Sequence, residues 1–473
     1  MKNLYDLVVI GSGPGGYVSA IRASQLGLRT AIIEKYQELG GTCLNVGCIP
    51  SKSLLDSSKY FSLAKNNYSS HGIFFEKLFF DFKKMMDRKN EVVKNINNGV
   101  KYLMKKNKID VYQGIGSFKT KNILFLKDIK SLKEKKEIQF QYCIISTGSK
   151  PSCFPHLNFH LENRILSSTE ALHLKEIPKK LIIIGGGIIG LELGSIFNRL
   201  GSKIIILEPM EKIISNMDDS LSHEMQKILE KSSIQIETSL SVSNIFKENH
   251  EQISVFAKYH NGKEVKFIGD YCLLSIGRIP YTKNLELENI KIQKNKKGFI
   301  HVNDDLQTSV KNIYAIGDVI GGKMLAHKAE EEGLYVVEHI VGKKPNKLNY
   351  DLIPSIIYTY PEVASVGRSE NEIKKDKIEY NIGIFPMKIL ARARTSGCTD
   401  GFLKMISHKK TDEILGVHII GDHASDMIME ASIAMEFRSS SEDIYRICHP
   451  HPTLSESFKE AALLNFENRS IHM

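Results

Sequence analysis

Two stretches of the chain repeat one pattern: an apolar run, a glycine-rich turn, a helix-period stretch, and a second apolar run closed by a glutamate. The first copy reads Leu7-Val-Val-Ile-Gly11-Ser-Gly13-Pro-Gly-Gly16 and reaches its second run at Thr30-Ala-Ile-Ile-Glu34. The second reads Leu181-Ile-Ile-Ile-Gly185-Gly-Gly187-Ile-Ile-Gly190, with a helix to about Leu200 and then Lys203-Ile-Ile-Ile-Leu-Glu208. Strand, glycine turn and helix in that order predict a βαβ half. Two halves in the same phase predict two doubly wound, Rossmann-like dinucleotide-binding domains.

Between the copies, residues 53–110 read as helical and amphipathic, and residues 111–149 as short strands with polar turns. Residues 298–318 return to strands, ending Asn312-Ile-Tyr-Ala-Ile-Gly317-Asp318. After Pro345, short strands at Ser355 to Tyr358, Phe402 to Ile406 and Ile414 to Ile419 alternate with helices near Ser425 to Phe437 and Ser455 to Leu463, which reads as a separate α+β domain. The expected fold is α/β: domains over 1–149 and 150–279, a central segment over 280–346 that completes the first, and a C-terminal α+β domain over 347–473.

At 473 residues, several domains are expected. With 42% hydrophobic and 25% charged residues the chain reads as globular. The longest apolar stretch, Leu181 to Leu193, is broken by four glycines and Glu192, which excludes a membrane span. The N-terminus enters the strand-like run Tyr5 to Ile10 without room for a signal peptide, which leads to the expectation of a cytoplasmic protein. The net charge of +10 is carried by scattered lysines, the densest cluster being Lys127 to Lys136, a solvated hairpin by its pattern. No aromatic-interleaved basic motif appears, so nucleic acid is not expected as a partner; an acidic protein partner fits the charge.

Each glycine turn carries an acid 18 residues after its last glycine. Gly11 and Gly185 permit the tight turn, Gly13 and Gly187 let the backbone approach a pyrophosphate, and Gly16 and Gly190 allow close helix–strand packing. The helix N-terminus offers N–H donors to phosphates. Glu34 and Glu208 are placed to accept from ribose hydroxyls, and a carboxylate at Glu208 favours NAD over NADP. The alternative is two turns that are merely rich in glycine. Cys43 and Cys48, in Gly41-Thr-Cys-Leu-Asn-Val-Gly-Cys-Ile-Pro-Ser-Lys52, stand apart from the other five cysteines. Two thiols beside a dinucleotide loop point to an electron relay; buried free cysteines or half a zinc site are the alternatives. In a regular helix such a pair is too far apart to bond, so an irregular helix start is expected, with Asn45, Gly47 and Pro50 suited to it. A helix N-terminus favours thiolate. Cys143 and Cys272 read as buried small residues in strands, and Cys448 as packing. Near the C-terminus, His451 can act as a base if Glu456 reaches back to it; the alternative is an ordinary loop histidine.

These motifs resemble those of the dihydrolipoamide dehydrogenases, a branch of the FAD-dependent pyridine nucleotide–disulfide oxidoreductase family. The resemblance runs from about Leu4 to about Ala462 and rests on the Cys43/Cys48 block, Gly185 to Glu192, Thr147-Gly148, Gly317-Asp318, Met324-Leu-Ala-His327 and His451-Pro-Thr-Leu-Ser-Glu456. It implies FAD on the first loop, with Gly11, Gly13, Gly16, Glu34, Lys35, Gly41, Thr42, Lys52, Gly116, Thr147, Gly148, Asp318 and Ala326 as contacts. It implies NAD on the second, with Gly185, Gly187, Ile188, Ile189, Gly190, Glu192, Glu208, Leu240 and Gly277, and with Lys52 pairing Glu192. By the same resemblance Cys48 lies against the flavin and Cys43 exchanges with substrate. The resemblance further implies that the last domain makes a homodimer, in which His451 and Glu456 serve the cysteine pair of the other subunit, and that the His451–Pro452 bond is cis, as an X–Pro bond allows. The implied reaction oxidises dihydrolipoamide on lipoyl-bearing E2 subunits of pyruvate and 2-oxoglutarate dehydrogenase complexes, or on the glycine cleavage H protein, with reduction of NAD⁺. No metal is implied. Pro450 departs from the small residue usual before the histidine.

Of the neighbouring enzymes, glutathione reductase would use NADPH, with basic residues where Glu208 stands. Mercuric reductase would need a cysteine pair beyond Cys448. Soluble transhydrogenase lacks the paired cysteines. A structural subunit that has lost its redox function is the reading from another class, and an assay with dihydrolipoamide and NAD⁺ separates the two.

Overall fold

The computed structural model describes residues 4–473. The chain divides into two compact units, one of Met1–Ser53, Lys84–Ser152 and Gly277–Leu348, the other of Leu54–Lys83, Cys153–Ile276 and Asn349–Met473.

In the first unit, strand Leu4–Ile10 lies between Thr30–Glu34 and Glu134–Ile145, parallel to both. Leu7 and Val9 pack on one face with Ala20 and Ala23 of helix Pro14–Gln25, while Val8 and Ile10 pack on the other with Phe118 and Phe140. Burial on both faces is why the strand is apolar at consecutive positions. Asp110–Gln113 extends the sheet in parallel beyond Thr30–Glu34, and Ile313–Ala315 joins Glu134–Ile145 in parallel from far along the chain. Ile123–Lys127 and Ile115–Thr120 continue the sheet antiparallel. The lysine-rich run forms a hairpin closed by Asp128 N–H on Lys133 O at 2.8 Å.

The second unit holds a parallel sheet in the order Gln235–Glu237, Lys203–Leu207, Lys180–Ile184, Tyr271–Leu274 and Ile165–Leu166. A three-stranded antiparallel sheet, Leu240–Lys247, Ile253–Tyr259 and Glu264–Gly269, follows it. The C-terminal part is a five-stranded antiparallel sheet in the order Ser355–Ile357, Glu362–Gly367, Ile414–Gly421, Phe402–His408 and Tyr380–Pro386. Helices Ala424–Glu436 and Glu456–Glu467 share its core, which includes Met405, Ile419, Ile428 and Phe458.

The expected α/β architecture is present. Two local readings are corrected. The stretch 53–110 is not continuously helical: helices Cys48–Asn66 and Phe82–Lys106 are separated by the short 3-10 turn Tyr68–His71, which Gly72 ends at φ +76°. The apolar residues after it do not enter a core; Phe74 and Phe79 are each 78% exposed. Residues 298–318 contain one strand, Ile313–Ala315, with single β-bridges at Ile300 and Gln307. No helix among the described residues is long and apolar enough to cross a membrane.

Candidate functional site

The two glycine turns are built alike. Gly11, at φ +98°, brings its α-carbon so close to Ser146 O that a β-carbon would lie 2.4 Å from it; Gly185, at φ +103°, stands in the same relation to Ser275 O, at 2.5 Å. A β-carbon on Gly16 or Gly190 would lie 2.0 or 2.3 Å from the carbonyl oxygen of Gly11 or Gly185. Only glycine fits these positions. Glu34 and Glu208 are buried and brace their loops. Ser12 N–H and Oγ donate to Glu34 Oε2 at 3.0 and 2.7 Å, and Gly186 N–H donates to Glu208 Oε2 at 2.7 Å.

Cys43 lies in helix Gly41–Val46 and Cys48 opens helix Cys48–Asn66. The break between them falls at Gly47, where a β-carbon would stand 2.9 Å from Thr42 O. Asn45 holds the first helix by donating to Leu39 O and Gly41 O, both at 2.9 Å, and accepts from Asn97 Nδ2. Pro50 occupies the first turn of the second helix, where its missing N–H costs nothing. This is the irregular start the thiol spacing calls for. Both residues are thiols here and hydrogen-bonded to each other. The expected lowering of thiol pKa does not hold for Cys43. The hydrogen bond to Cys48 and burial push it far up, against the opposing charge of Lys52. The neutral thiol is thus the favoured form of Cys43.

Around the pair, the first unit holds groups that local sequence gave no sign of. Arg278 donates through Nε to Ser149 Oγ at 2.7 Å, and Ser149 Oγ donates to Asp318. Arg278 is also in electrostatic reach of Cys48. Asp318 sits in the turn Gly317–Ile320, which a fully buried ion pair locks to helix Ala326–Ile340. Lys328 Nζ meets Glu332 Oε1 at 2.9 Å and donates to Gly317 O and Gly321 O, while Glu332 Oε2 accepts Gly317 N–H at 2.7 Å. The i,i+4 spacing of Lys328 and Glu332 was the available sequence signal; Arg278 and Ser149 had none.

In the second unit, His451 Nδ1 and Glu456 Oε1 are 2.8 Å apart, and Thr453 N–H donates to Glu456 Oε2 at 2.9 Å. His451–Pro452 is cis. Burial raises the Glu456 pKa, but the bonds from His451 and Thr453 outweigh it, and the carboxyl titrates below its usual range. The His451 side chain is 70% exposed. Cys143 and Cys272 are buried as read, whereas Cys448 is exposed, so the packing role expected for it is wrong.

The pyridine nucleotide-disulphide oxidoreductase family model matches residues 5–333, and the model of that family's dimerisation domain matches residues 353–462. The chain belongs to this family. It is 43% identical over 468 residues to dihydrolipoyl dehydrogenase 2, mitochondrial, of Arabidopsis thaliana, covering 99% of this chain and 91% of that one. Over 470 residues it is 43% identical to the mitochondrial dihydrolipoyl dehydrogenase of Homo sapiens, covering 99% and 92%. The structure of the HOCl-induced flavoprotein disulfide reductase RclA from Escherichia coli superposes with a TM-score of 0.85 at 28% identity, over 97% of this chain and 100% of that one. This pyridine nucleotide–disulphide oxidoreductase is therefore an enzyme, a flavin-dependent disulfide oxidoreductase of the dihydrolipoyl dehydrogenase kind, with FAD and NAD as cofactors.

The residues fit both nucleotides. Helices Pro14–Gln25 and Ile188–Arg199 begin at Gly13 and Gly187 without a side-chain cap, leaving their first N–H groups to a diphosphate. A β-carbon on either glycine would meet nothing within 4 Å, so the space a diphosphate needs is open. Gly41 packs on Gly13, and Gly40 N–H donates to Ser12 O, which ties the cysteine segment to the first loop. Thr42 is exposed beside it. Lys35 lies over the rings of Tyr36 and Tyr281. Thr147 Oγ1 donates to Tyr281 O, and Gly148 faces open space. Gly116 lies in strand Ile115–Thr120 against Ile33, Ala326 opens its helix, and Lys52 is one turn beyond Cys48. On the second loop, Ile188 and Ile189 open the helix and Glu192 accepts Tyr358 N–H at 3.0 Å. Leu240 is fully buried, and Gly277 begins the last segment of the first unit.

Proposed function

We propose that this enzyme reoxidises protein-bound dihydrolipoamide to lipoamide and reduces NAD⁺ to NADH, as the E3 component of 2-oxoacid dehydrogenase complexes. The observation that carries the reading is the Cys43/Cys48 pair, held in contact across the break at Gly47 and tied to the first nucleotide loop. In the disulfide state, a substrate thiolate attacks Cys43 Sγ; an S–S bond forms to substrate and the Cys43–Cys48 bond breaks, leaving Cys48 as thiolate. The second substrate thiol then closes the cyclic disulfide and Cys43 leaves, taking a proton. His451, oriented by Glu456, removes the substrate protons. The first loop would hold FAD, and the flavin would supply acceptance of the electron pair as the Cys43–Cys48 bond re-forms with loss of the Cys43 proton, and its delivery to NAD⁺ as hydride.

The cofactor contacts are those assigned above, with FAD on the first loop and NAD on the second. Glu208, braced by Gly186 N–H, would repel a 2′-phosphate and supports NAD over NADP. The matched dimerisation domain supports a homodimer in which each subunit's His451 and Glu456 serve the other's thiols. Lipoyl-bearing E2 subunits of pyruvate and 2-oxoglutarate dehydrogenase complexes, and the glycine cleavage H protein, are the partners of this reading. FAD-loaded protein mixed with dihydrolipoamide and NAD⁺ should form NADH. Absence of NADH, or a preference for NADPH with glutathione disulfide, would overturn the assignment.

A further inference from the structure

Helices Pro14–Gln25 and Ala326–Ile340 pack backbone to backbone. A β-carbon on Gly15 would lie 2.8 Å from Ala329 O, and one on Gly333 would lie 2.3 Å from Ser19 Oγ. This contact brings together two side chains 313 positions apart: Tyr17 Oη donates to Glu330 Oε1 at 3.4 Å. Tyr17 also packs with Cys43 against one hydrophobic cluster, and both Tyr17 and Glu330 lie in electrostatic reach of the Cys43 sulfur. Nothing in the chemistry so far uses this half-buried carboxylate.

Resting on the dithiol reading above, we propose that Glu330, held by Tyr17, is a positioning residue that acts through Cys43, keeping the proton on the exchanging thiol so that the charge of the reduced pair falls on Cys48. The groups facing Cys43 are Cys48 and Lys52 from its own segment, Tyr17 from Pro14–Gln25, and Glu330 from Ala326–Ile340. Burial and the neighbouring Glu331 raise the Glu330 pKa, and the bond from Tyr17 works against that rise, favouring the carboxylate. Among these, Lys52 favours a Cys43 thiolate and Glu330 opposes it. A carboxylate near a thiol disfavours the thiolate by like charge. Burial, together with Glu330 and Cys43, raises the Tyr17 pKa to about 12, so Tyr17 remains a donor throughout the working range. Cys43 thus leaves substrate as an acceptor of a proton, and the two sulfurs are made unequal by a residue on a helix that carries neither.

The test is the pH dependence of Cys43 alkylation. Reduced, FAD-loaded enzyme is treated with iodoacetamide across a pH series, and carboxamidomethylation at Cys43 is read by peptide mass spectrometry. Glu330→Gln should lower the pH midpoint for Cys43 by roughly one unit, Tyr17→Phe should move it in part, and Glu330→Asp should return it towards wild type. A purely structural role would change FAD retention or melting without moving this midpoint. An unmoved or raised midpoint in Glu330→Gln overturns the proposal, whatever Tyr17→Phe does. NADH formation from dihydrolipoamide, measured on the same wild-type preparation, reports separately on the reaction assigned above.

Discussion

The His451–Glu456 pair works because its two members differ in exposure. Glu456 is mostly covered and fixed by Thr453 N–H, while His451 reaches into solvent. A carboxylate in that position fixes the ring tautomer and stabilises the imidazolium formed when the outer nitrogen takes a proton. His451→Gln removes the base and should slow dihydrolipoamide oxidation by about 10²–10⁴-fold, the range for general acid–base catalysis. Glu456→Gln keeps an acceptor for Nδ1 but loses the charge, and should fall between that variant and wild type, with FAD bound in both. Steady-state NADH formation checks the order; a Glu456→Gln rate equal to wild type would remove the carboxylate from the mechanism. This pair was legible because its members are five residues apart on one turn. Tyr17 and Glu330 were not, since only the packing of two distant helices makes them neighbours. Cys448 was misread because a place beside the histidine cluster does not determine which way a loop residue faces.

At the level of elements, the turn bearing Asp318 depends on a charge pair that water does not reach. Lys328 and Glu332 are 2% and 0% exposed, and both also bond the backbone of the Gly317–Ile320 turn and its flank. Removing one partner from a buried pair leaves an uncompensated charge and costs about 3–5 kcal/mol, whereas replacing both by apolar groups costs less. Glu332→Gln should therefore lower the melting temperature markedly and weaken FAD retention, and Lys328→Met combined with Glu332→Leu should melt higher than the single variant. A single variant that melts like wild type would show the pair to be dispensable. Strands and glycine turns were readable from sequence because burial on both faces forces apolar residues at consecutive positions. The segment after Gly72 was not: its aromatics suit an amphipathic helix, yet the left-handed glycine ends the turn and Phe74 and Phe79 stay in solvent.

On the scale of the whole second unit, a buried charge cluster joins helix Asp219–Lys231 to the C-terminal sheet. Asp218 caps that helix through Ser220 N–H at 3.0 Å, takes Lys404 Nζ at 2.8 Å, and accepts Glu370 N–H at 2.9 Å. His418 shares a 2.7 Å contact with Ser365 Oγ and donates from Nε2 to Arg368 O at 3.1 Å, with Asp218 at 3.8 Å. These residues come from four separate stretches and follow no periodicity, so nothing local in the sequence announces them; the α+β character of the C-terminal part was readable, its anchorage was not. The cluster sets the acid response of the unit. Burial, helped by Lys404 and opposed by Asp218, lowers the His418 pKa. Below about 6.5, the usual histidine value, the unfolded chain thus gains a proton that the folded chain refuses, and stability falls. Burial raises the Asp218 pKa, but His418, Lys404 and Ser220 together hold it well below the ordinary carboxylate range. Its contribution is complete above about 3.9, the unfolded value, and is lost as pH falls below that towards the folded one. Melting temperature followed downward from neutral pH should therefore decline in two stages. His418→Gln should flatten the first stage, and Asp218→Asn should lower stability at neutral pH while flattening the second. Variants whose pH profiles run parallel to wild type would show that the cluster does not govern acid stability.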